Sequence, residues 1–350
     1  PGLRPFELDE EHLFFGREGQ ADELLVRLNR TRFLGVVGTS GSGKSSLVRA
    51  GLLPSLYSGF LADASSGWRV AILRPGSSPM RNLAEALNDP EVFGEDPASD
   101  EAVIRTALTE STLRRGALGL VEVTNQARMQ THENLLVVVD QFEEVFTQCA
   151  AEKRDEFVQS LVSVGKAQTP LSVVMTMRSD FINEWLETGQ PSGVMDDDSV
   201  HLGALQGENL RAAIVEPARM QGYEIEPALL NLLLGDVKAE TNCLPLLEFA
   251  LKELWEVRDT ERRVLTAEAY QEMKGLKGAL NKRADKVFSQ MRPEPEQQWA
   301  KRVCLQLVRV GQGEKDTRQR QRKATLLAMG GEDGAKQQII ADVIQDLVDG

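Results

Sequence analysis

Cysteine is scarce in this sequence: Cys149, Cys243 and Cys304 are the only three in 350 residues, far apart and without paired spacing. That excludes a disulfide framework and a clustered zinc site, and it fits buried thiols in a reducing compartment, the cytoplasm. Positive charge is in deficit, with 40 Lys and Arg against 53 Asp and Glu, a net charge of −13 and a pI near 4.9. The chain therefore carries no general electrostatic footprint for nucleic acid or an anionic membrane surface, and neither is expected as a partner. No apolar stretch approaches membrane-spanning length, and no charged-then-apolar leader opens the chain. Internal repeats and low-complexity segments are also missing. Met195-Asp196-Asp197-Asp198 is the only charge run, and it reads as a solvated loop before a strand.

What remains is an ordinary globular composition, 41% hydrophobic and 27% charged. A chain of this length exceeds a single core, so two or three packed units are expected. The sequence opens at Pro1 without a methionine and stops at Gly350 just after Ile344-Gln345-Asp346-Leu347-Val348, the pattern of a piece excised from something longer.

Strand and helix signals alternate through the first two hundred residues. Phe33 to Val37, Trp68 to Arg74, Leu135 to Val139, Leu171 to Arg178 and Ser199 to Leu202 read as strands. Continuous β-branched runs such as Leu135-Leu136-Val137-Val138-Val139 mark strands buried on both faces. Helical spacing predicts helices from Met80 to Leu87, from Glu101 to about Gln130, and from Phe157 to Val164. The alternation predicts an α/β fold, a parallel sheet covered by helices through right-handed crossovers. Beyond Leu205 the strand signals stop. Glu208–Arg219, Ala228–Val237, Leu244–Val257, Ala267–Met273, Lys277–Gln290 and Gln297–Val310 read as amphipathic helices.

The most specific motif is Gly38-Thr39-Ser40-Gly41-Ser42-Gly43-Lys44-Ser45, between an apolar run and a helix-forming run. Glycines at 38, 41 and 43 let the backbone turn its N–H groups onto phosphate oxygens at a helix N-terminus. Lys44 supplies charge for the β- and γ-phosphates, and the Ser45 hydroxyl is a hard ligand for Mg2+. Strand, loop and helix in that order are the context a P-loop requires, and with Ser40, Ser42 and Ser46 these residues form the expected nucleotide cradle.

A second element is Asp140-Gln141-Phe142-Glu143-Glu144, delivered by the end of the Leu135 strand. Asp140 at the tip is placed to hold Mg2+ opposite Ser45, and Glu143 or Glu144 to orient or deprotonate an attacking water. The third is Arg178, at the tip of the next strand, where a guanidinium sits near the γ-phosphate to sense it or stabilise transferred charge.

Taken together, Pro1 to Phe6, Leu13-Phe14-Phe15-Gly16-Arg17-Glu18, the P-loop with Ser46 to Pro54, Val139 to Glu144 and Leu244-Pro245-Leu246-Leu247 resemble the bacterial STAND NTPases, specifically the novel STAND NTPase 1 group, relatives of the NACHT and apoptotic ATPases. The resemblance spans nearly the whole chain. It implies a P-loop ATPase domain over 1–204, a small helical domain over 205–265 and a winged-helix-like domain, truncated, over 266–350. It further implies effector modules upstream, repeat sensors such as WD40 or TPR downstream, and a switch that is closed with ADP and opens to homo-oligomerise with ATP, in signalling or antiphage defence.

The resemblance carries over to particular residues. Gly16 and Arg17 belong to a segment similar to the Gly-Arg-Glu motif whose backbone frames adenine. Gln141 stands where related sequences often have Gly. Arg178 matches the sensor arginine. Pro245 matches the helical-domain proline that packs near the base, with Cys243 in place of the usual preceding Gly. The winged-helix histidine of some relatives has no counterpart, since none of His12, His132 and His201 lies in the last third, and Gly350 arrives where the strands of a wing are expected to begin.

Asn281-Lys282-Arg283-Ala284-Asp285 only superficially suggests a guanine-specificity motif, because its Asp is one residue too distant, and ATP is favoured on the resemblance. Three other function classes stand beside the switch. A non-hydrolysing scaffold would keep Lys44 and Ser45 yet be indifferent to Glu143 and Glu144. A P-loop phosphotransferase would need a lid arginine cluster after the fourth strand, and none is found. A DNA-processing ATPase is disfavoured by the acidic pI.

Overall fold

The computed structural model describes residues 2–59, 67–94, 100–131, 133–165, 169–189, 199–239, 243–309, 317–318, 321, 323–331 and 333–349. The Met195–Asp198 run, His132 and Val310 lie outside them. Five strands form one parallel sheet: β1 (Phe33–Gly38), β2 (Trp68–Leu73), β3 (Asn134–Val139), β4 (Leu171–Arg178) and β5 (Ser199–Leu202). Their spatial order is β2-β3-β4-β1-β5.

Alternation along each strand explains why these runs are apolar throughout. Val37, Val137, Val139, Val173, Met175 and Met177 fill the core on one face, while Leu34, Val36, Leu136, Val138, Val174 and Val200 fill the core on the other. Helices Pro79–Leu87 and Ala151–Val164 cover the first face with Met80, Leu83, Phe157 and Leu161. Helix Glu18–Arg30 and the helical run from Lys44 to Tyr57, which includes a π-helical stretch at Leu47–Leu52, cover the second.

The strand order sets the chemistry. Because β1 lies between β4 and β5, Gly38 is in register with Arg178 on one side and Leu202 on the other. The C-terminal tips of β3, β4 and β1 thus meet at one edge, where open α/β sheets collect their ligands.

Two helix readings need correction. The single helix expected from Glu101 to about Gln130 is two, Asp100–Leu113 and Gly119–Thr131, separated by turns around Gly116. Glycine's weak helix propensity overrides the continuing apolar spacing there. The helix expected to reach Val310 ends at Gln306, because Val308–Arg309 pairs antiparallel with Thr317–Arg318. Strand structure therefore does not stop at Leu205: Glu224–Ile225 also pairs with Val264–Leu265, in parallel. Two-residue strands are too short for periodicity to register.

Beyond Leu205 the other described elements are mainly helices: Gly207–Met220, Pro227–Ala239, Leu244–Glu256, Ala267–Glu272, Gly275–Gln290, Glu296–Gln306, Lys323–Leu327 and Gly334–Asp349. One core there gathers Leu210, Ile214, Leu229, Leu233, Leu247 and Tyr270, and a separate one gathers Trp299, Val303, Ile340 and Val343. Among the described residues, no helix is long and apolar enough to cross a membrane.

Candidate nucleotide-binding site

At the tip of β1 the chain turns through Gly41 and Gly43 at φ 73° and 89° before Lys44 starts the helix. A Cβ at Gly43 would meet nothing within 4 Å, so backbone conformation, not space, requires glycine there. Lys44 is buried and its Nζ donates to the carbonyls of Gly38 at 2.9 Å and Thr39 at 2.8 Å. Burial pulls its pKa below the usual lysine range, opposed by the nearby Glu143 carboxylate. The loop thus holds its own cation over the cradle that the backbone N–H groups form.

Ser45 Oγ donates to Asp140 Oδ1 at 2.6 Å, although Ser45 follows β1 and Asp140 follows β3, strands separated by β4. The intervening strand contributes Thr176, whose hydroxyl donates to the same oxygen at 2.8 Å and accepts the Gln141 N–H at 2.9 Å. Gln141 adopts φ 58°, which gives a physical reason for the glycine of related sequences at this position. On the far side of Asp140, Arg49 approaches Oδ2 at 3.5 Å while its other nitrogen holds Glu7 at 2.7 and 2.8 Å.

A divalent cation fits this geometry. Asp140 is 1% exposed; its Oδ1 accepts the Ser45 hydroxyl, and its Oδ2 is buried without a hydrogen bond, the guanidinium groups of Arg49 and Arg74 approaching it at 3.5 and 3.8 Å. Among the described residues no group of three or more His, Cys, Asp and Glu side chains gathers for a metal. Ser45 and Asp140 would therefore hold Mg2+ together with phosphate oxygens, as hard-ligand sites for this ion do.

The two glutamates diverge. Glu143 faces Lys44 across the cavity and accepts the Arg178 N–H at 3.4 Å. Burial lifts its pKa above the ordinary carboxylate range, against the pull of Lys44 and Arg178. Glu144 is buried and its Oε2 accepts the Gly76 N–H at 3.1 Å, tying the β3 tip to the loop after β2. Arg178 points along the cavity wall, its guanidinium held by Asp180 and over the ring of Phe181.

One cavity of about 980 Å³ joins these parts. Ser40, Gly41, Ser42, Gly43, Lys44, Ser45 and Ser46 line it, as do Glu143, Glu144 and Arg178. Leu244, Pro245, Leu247 and Glu248 of helix Leu244–Glu256 line it too, together with Leu3, Phe14, Phe15 and Arg17. Gly16, Gly38 and Asp140 are not among its lining residues. Ser46 presents its hydroxyl to the Phe6 N–H at 3.2 Å, away from the cradle.

The segment before the sheet is fitted to both halves. Gly16 has φ 83°, and a Cβ on it would come within 2.2 Å of the Asn209 carbonyl oxygen, so the helix Gly207–Met220 packs directly on its backbone. Arg17 is buried and donates to Ser42 O at 3.1 Å and Gly203 O at 2.9 Å. At the start of the other cavity helix, Pro245 lies in the first turn, where no N–H is lost. Cys243 caps that helix at φ −91°, a conformation that needs no glycine.

Sequence reasoning missed the parts that Thr176 and Arg49 play around Asp140. A threonine inside an apolar strand was a signal for the first, because a buried hydroxyl must find partners. The arginine one turn along the P-loop helix looks like an ordinary solvated position until the fold is known.

A family model, novel STAND NTPase 1, matches residues 1–350. No curated protein matches in sequence. Among solved structures the chain is similar to the Aeropyrum pernix ORC2 protein in its ADPNP-ADP complexes, at 15% identity and TM-score 0.50, over 94% of this chain and 95% of that one. It is also similar to the Aeropyrum pernix ORC1 protein in complex with DNA, at 13% identity and TM-score 0.51, over 95% and 83%. At such identities the likeness speaks for the fold, an α/β P-loop sheet with helices attached. A family match that runs the whole length, over a fold that brings the P-loop serine and the acidic strand end into contact, makes the chain a member of the novel STAND NTPase 1 family.

Proposed function

We propose that the protein is an ATP-binding, ATP-hydrolysing switch whose ADP and ATP states set how its sheet and helical halves are arranged. One observation carries this reading: the cavity that begins at the P-loop is walled elsewhere by Leu244, Pro245 and Leu247, on a helix outside the sheet. A nucleotide in it touches both halves, so a difference in contact between ATP and ADP becomes a difference in how firmly they are held together. Taking such an equilibrium from mostly closed to mostly open requires ~5.5 kcal/mol of differential affinity.

In this reading Lys44 neutralises the β- and γ-phosphates, and Ser45 and Asp140 hold Mg2+. The ion, when bound, offsets charge on the transferred phosphoryl group. Glu143 accepts the proton of the attacking water, since Glu144 is engaged by Gly76. Arg178 detects the γ-phosphate on exchanging Asp180 for it. The last segment, 266–350, is assigned as winged-helix-like, with Val308–Arg309 and Thr317–Arg318 as the start of a wing. Effector modules upstream, WD40 or TPR sensors downstream, ATP-dependent homo-oligomerisation and a role in cytoplasmic signalling or antiphage defence complete the proposal.

The test begins with denaturing release and chromatography of nucleotide from the purified protein, followed by turnover with Mg2+-ATP. Co-purified ADP with slow turnover is expected. In titration calorimetry Lys44→Ala should lose ATP binding, and unchanged affinity would remove the P-loop assignment. An empty site with rapid, acceptor-dependent turnover would instead identify a phosphotransferase.

A further inference from the structure

Two carboxylates share the guanidinium of Arg49, in the π-helical stretch one turn past Ser45. Its Nη1 donates to both oxygens of Glu7 at 2.7 and 2.8 Å, and its Nη2 stands 3.5 Å from Asp140 Oδ2. The second contact is an ion-pair approach without a hydrogen bond, so Oδ2 stays unsatisfied while Ser45 and Thr176 take Oδ1. Arg49 is itself mostly buried, its Nε unpartnered. Arg74 also approaches Oδ2, at 3.8 Å, but among the described residues no other carboxylate lies within ion-pair distance of it. Of the two arginines, Arg49 is the one that links Asp140 to a second acid.

That acid sits on a strap between the helical half and the P-loop helix. At one end, a Cβ on Gly2 would come within 3.3 Å of the Lys252 side chain and 3.9 Å of the Phe249 ring, so the backbone lies against helix Leu244–Glu256. Further along, the Phe6 N–H donates to Ser46 Oγ at 3.2 Å. Glu7 then begins the short helix Leu8–Leu13, its N–H held by Glu10 Oε2 at 3.0 Å, and Arg4 grips Glu10 at 2.6 and 2.7 Å. The strap presents Glu7 to Arg49 only while it lies along the P-loop helix.

We infer that Glu7 and Arg49 set how tightly Asp140 holds a divalent cation, and that they tie this affinity to the docking of the strap. The inference rests on the metal and nucleotide reading above. A cation at Asp140 is repelled by a guanidinium this close to Oδ2. Glu7 offsets that charge, and its two-oxygen grip keeps the planar fork from closing on Oδ2. Once the strap leaves, Arg49 has one carboxylate in reach instead of two, and it pairs with Asp140 in competition with the cation. Because the far end of the strap lies on helix Leu244–Glu256, a separation of the halves that draws it away weakens the cation at a distance. Both are positioning residues, since neither lines the cavity.

Titration calorimetry of ATP on the whole chain, at saturating Mg2+ and in excess chelator, tests this through the ratio of the two affinities, from which any general effect of a variant on ATP binding cancels. Wild type should gain affinity from Mg2+. Glu7→Gln should cut that gain about fivefold and Arg49→Met should raise it by about as much, the size expected of one partly screened charge. The double variant should match Arg49→Met, because Glu7 acts through the guanidinium. A Glu7→Gln variant with the wild-type ratio, or one whose effect persists in the Arg49→Met background, would overturn this inference alone. If Arg49→Met binds no ATP in either condition, as a misfolded variant would, Arg49→Gln takes its place, since its amide still donates to Glu7. A wild type that binds ATP with no gain from Mg2+ overturns the metal assignment as well, and one that binds no ATP overturns the nucleotide reading too.

Discussion

Ser45 Oγ lies 2.6 Å from Asp140 Oδ1 across a sequence separation of 95 residues, and Thr176 donates to the same carboxylate oxygen from the strand between them. Thr176 therefore sets where the carboxylate points. Thr176→Val keeps the shape but removes the donor to Asp140 and the acceptor for the Gln141 N–H. We expect a loss of ~1–3 kcal/mol in denaturant unfolding and a weaker Mg2+ requirement curve for nucleotide binding, with binding in excess chelator unaffected. An unchanged unfolding midpoint would mean that both groups find water instead.

The glutamates are separable because their partners differ. Glu143→Gln should retain ATP binding while turnover falls by about 10²–10⁴, the range for loss of general base catalysis. Glu144→Gln exchanges a carboxylate acceptor for an amide at the buried Gly76 N–H, so it should cost ~1–2 kcal/mol of stability and leave much of the turnover. Steady-state rates with thermal melts on both variants check this. The reverse pattern would transfer the base role to Glu144.

Turnover should also depend on pH through Glu143. A base must be ionised to accept a proton, and burial raises the pKa of this one. Activity is therefore lost as pH falls through that raised value and levels off above it. The acid limb should sit above that of a solvent-exposed carboxylate, and Glu143→Gln should abolish it together with the activity. A wild-type profile flat from about pH 5 to 8 would argue against a raised carboxyl as the limiting group.

Gln141 occupies a left-handed conformation that side chains avoid, at a cost of ~1–2 kcal/mol, whereas a glycine adds ~0.5–1 kcal/mol of chain entropy to be lost on folding. Gln141→Gly should accordingly leave stability unchanged or raise it by up to about 1 kcal/mol. A drop larger than that, read from chemical unfolding, would show that the contacts of the glutamine side chain outweigh its backbone strain.

Gly16→Ala meets both a left-handed backbone and the Asn209 carbonyl oxygen, 2.2 Å from the added carbon. Something must move. The expected loss is ~2–4 kcal/mol, and the helix Gly207–Met220 should become the first segment exposed to protease. A variant with wild-type melting and cleavage would mean that the contact yields without consequence.

Much of the fold is legible in the sequence because double-sided burial writes itself into strands such as β3 and β4, whose ends the apolar runs mark within a residue or two. The P-loop and Asp140 are legible for a related reason: phosphate chemistry leaves few residue types to choose from. The strand order is not, since nothing local in β4 says that it will separate β1 from β3. That hidden order is what makes Thr176 important. The different surroundings of Glu143 and Glu144 are equally invisible in a chain of two consecutive acids, because Gly76 approaches Glu144 from the loop after another strand. The short pair Val308–Arg309 and Thr317–Arg318 escapes for want of length.

A single nitrogen of Arg17 holds the carbonyl of Ser42 in the phosphate loop and that of Gly203 just after β5. Gly203 begins the stretch through which the chain leaves the sheet for the helices. A tug on that exit is therefore passed to the loop through one side chain, and loop fluctuations are not private to the loop. Amide exchange at both places should slow and quicken in step. In the proposed switch, the lifetime of a bound nucleotide would then double as a force gauge for the helical half.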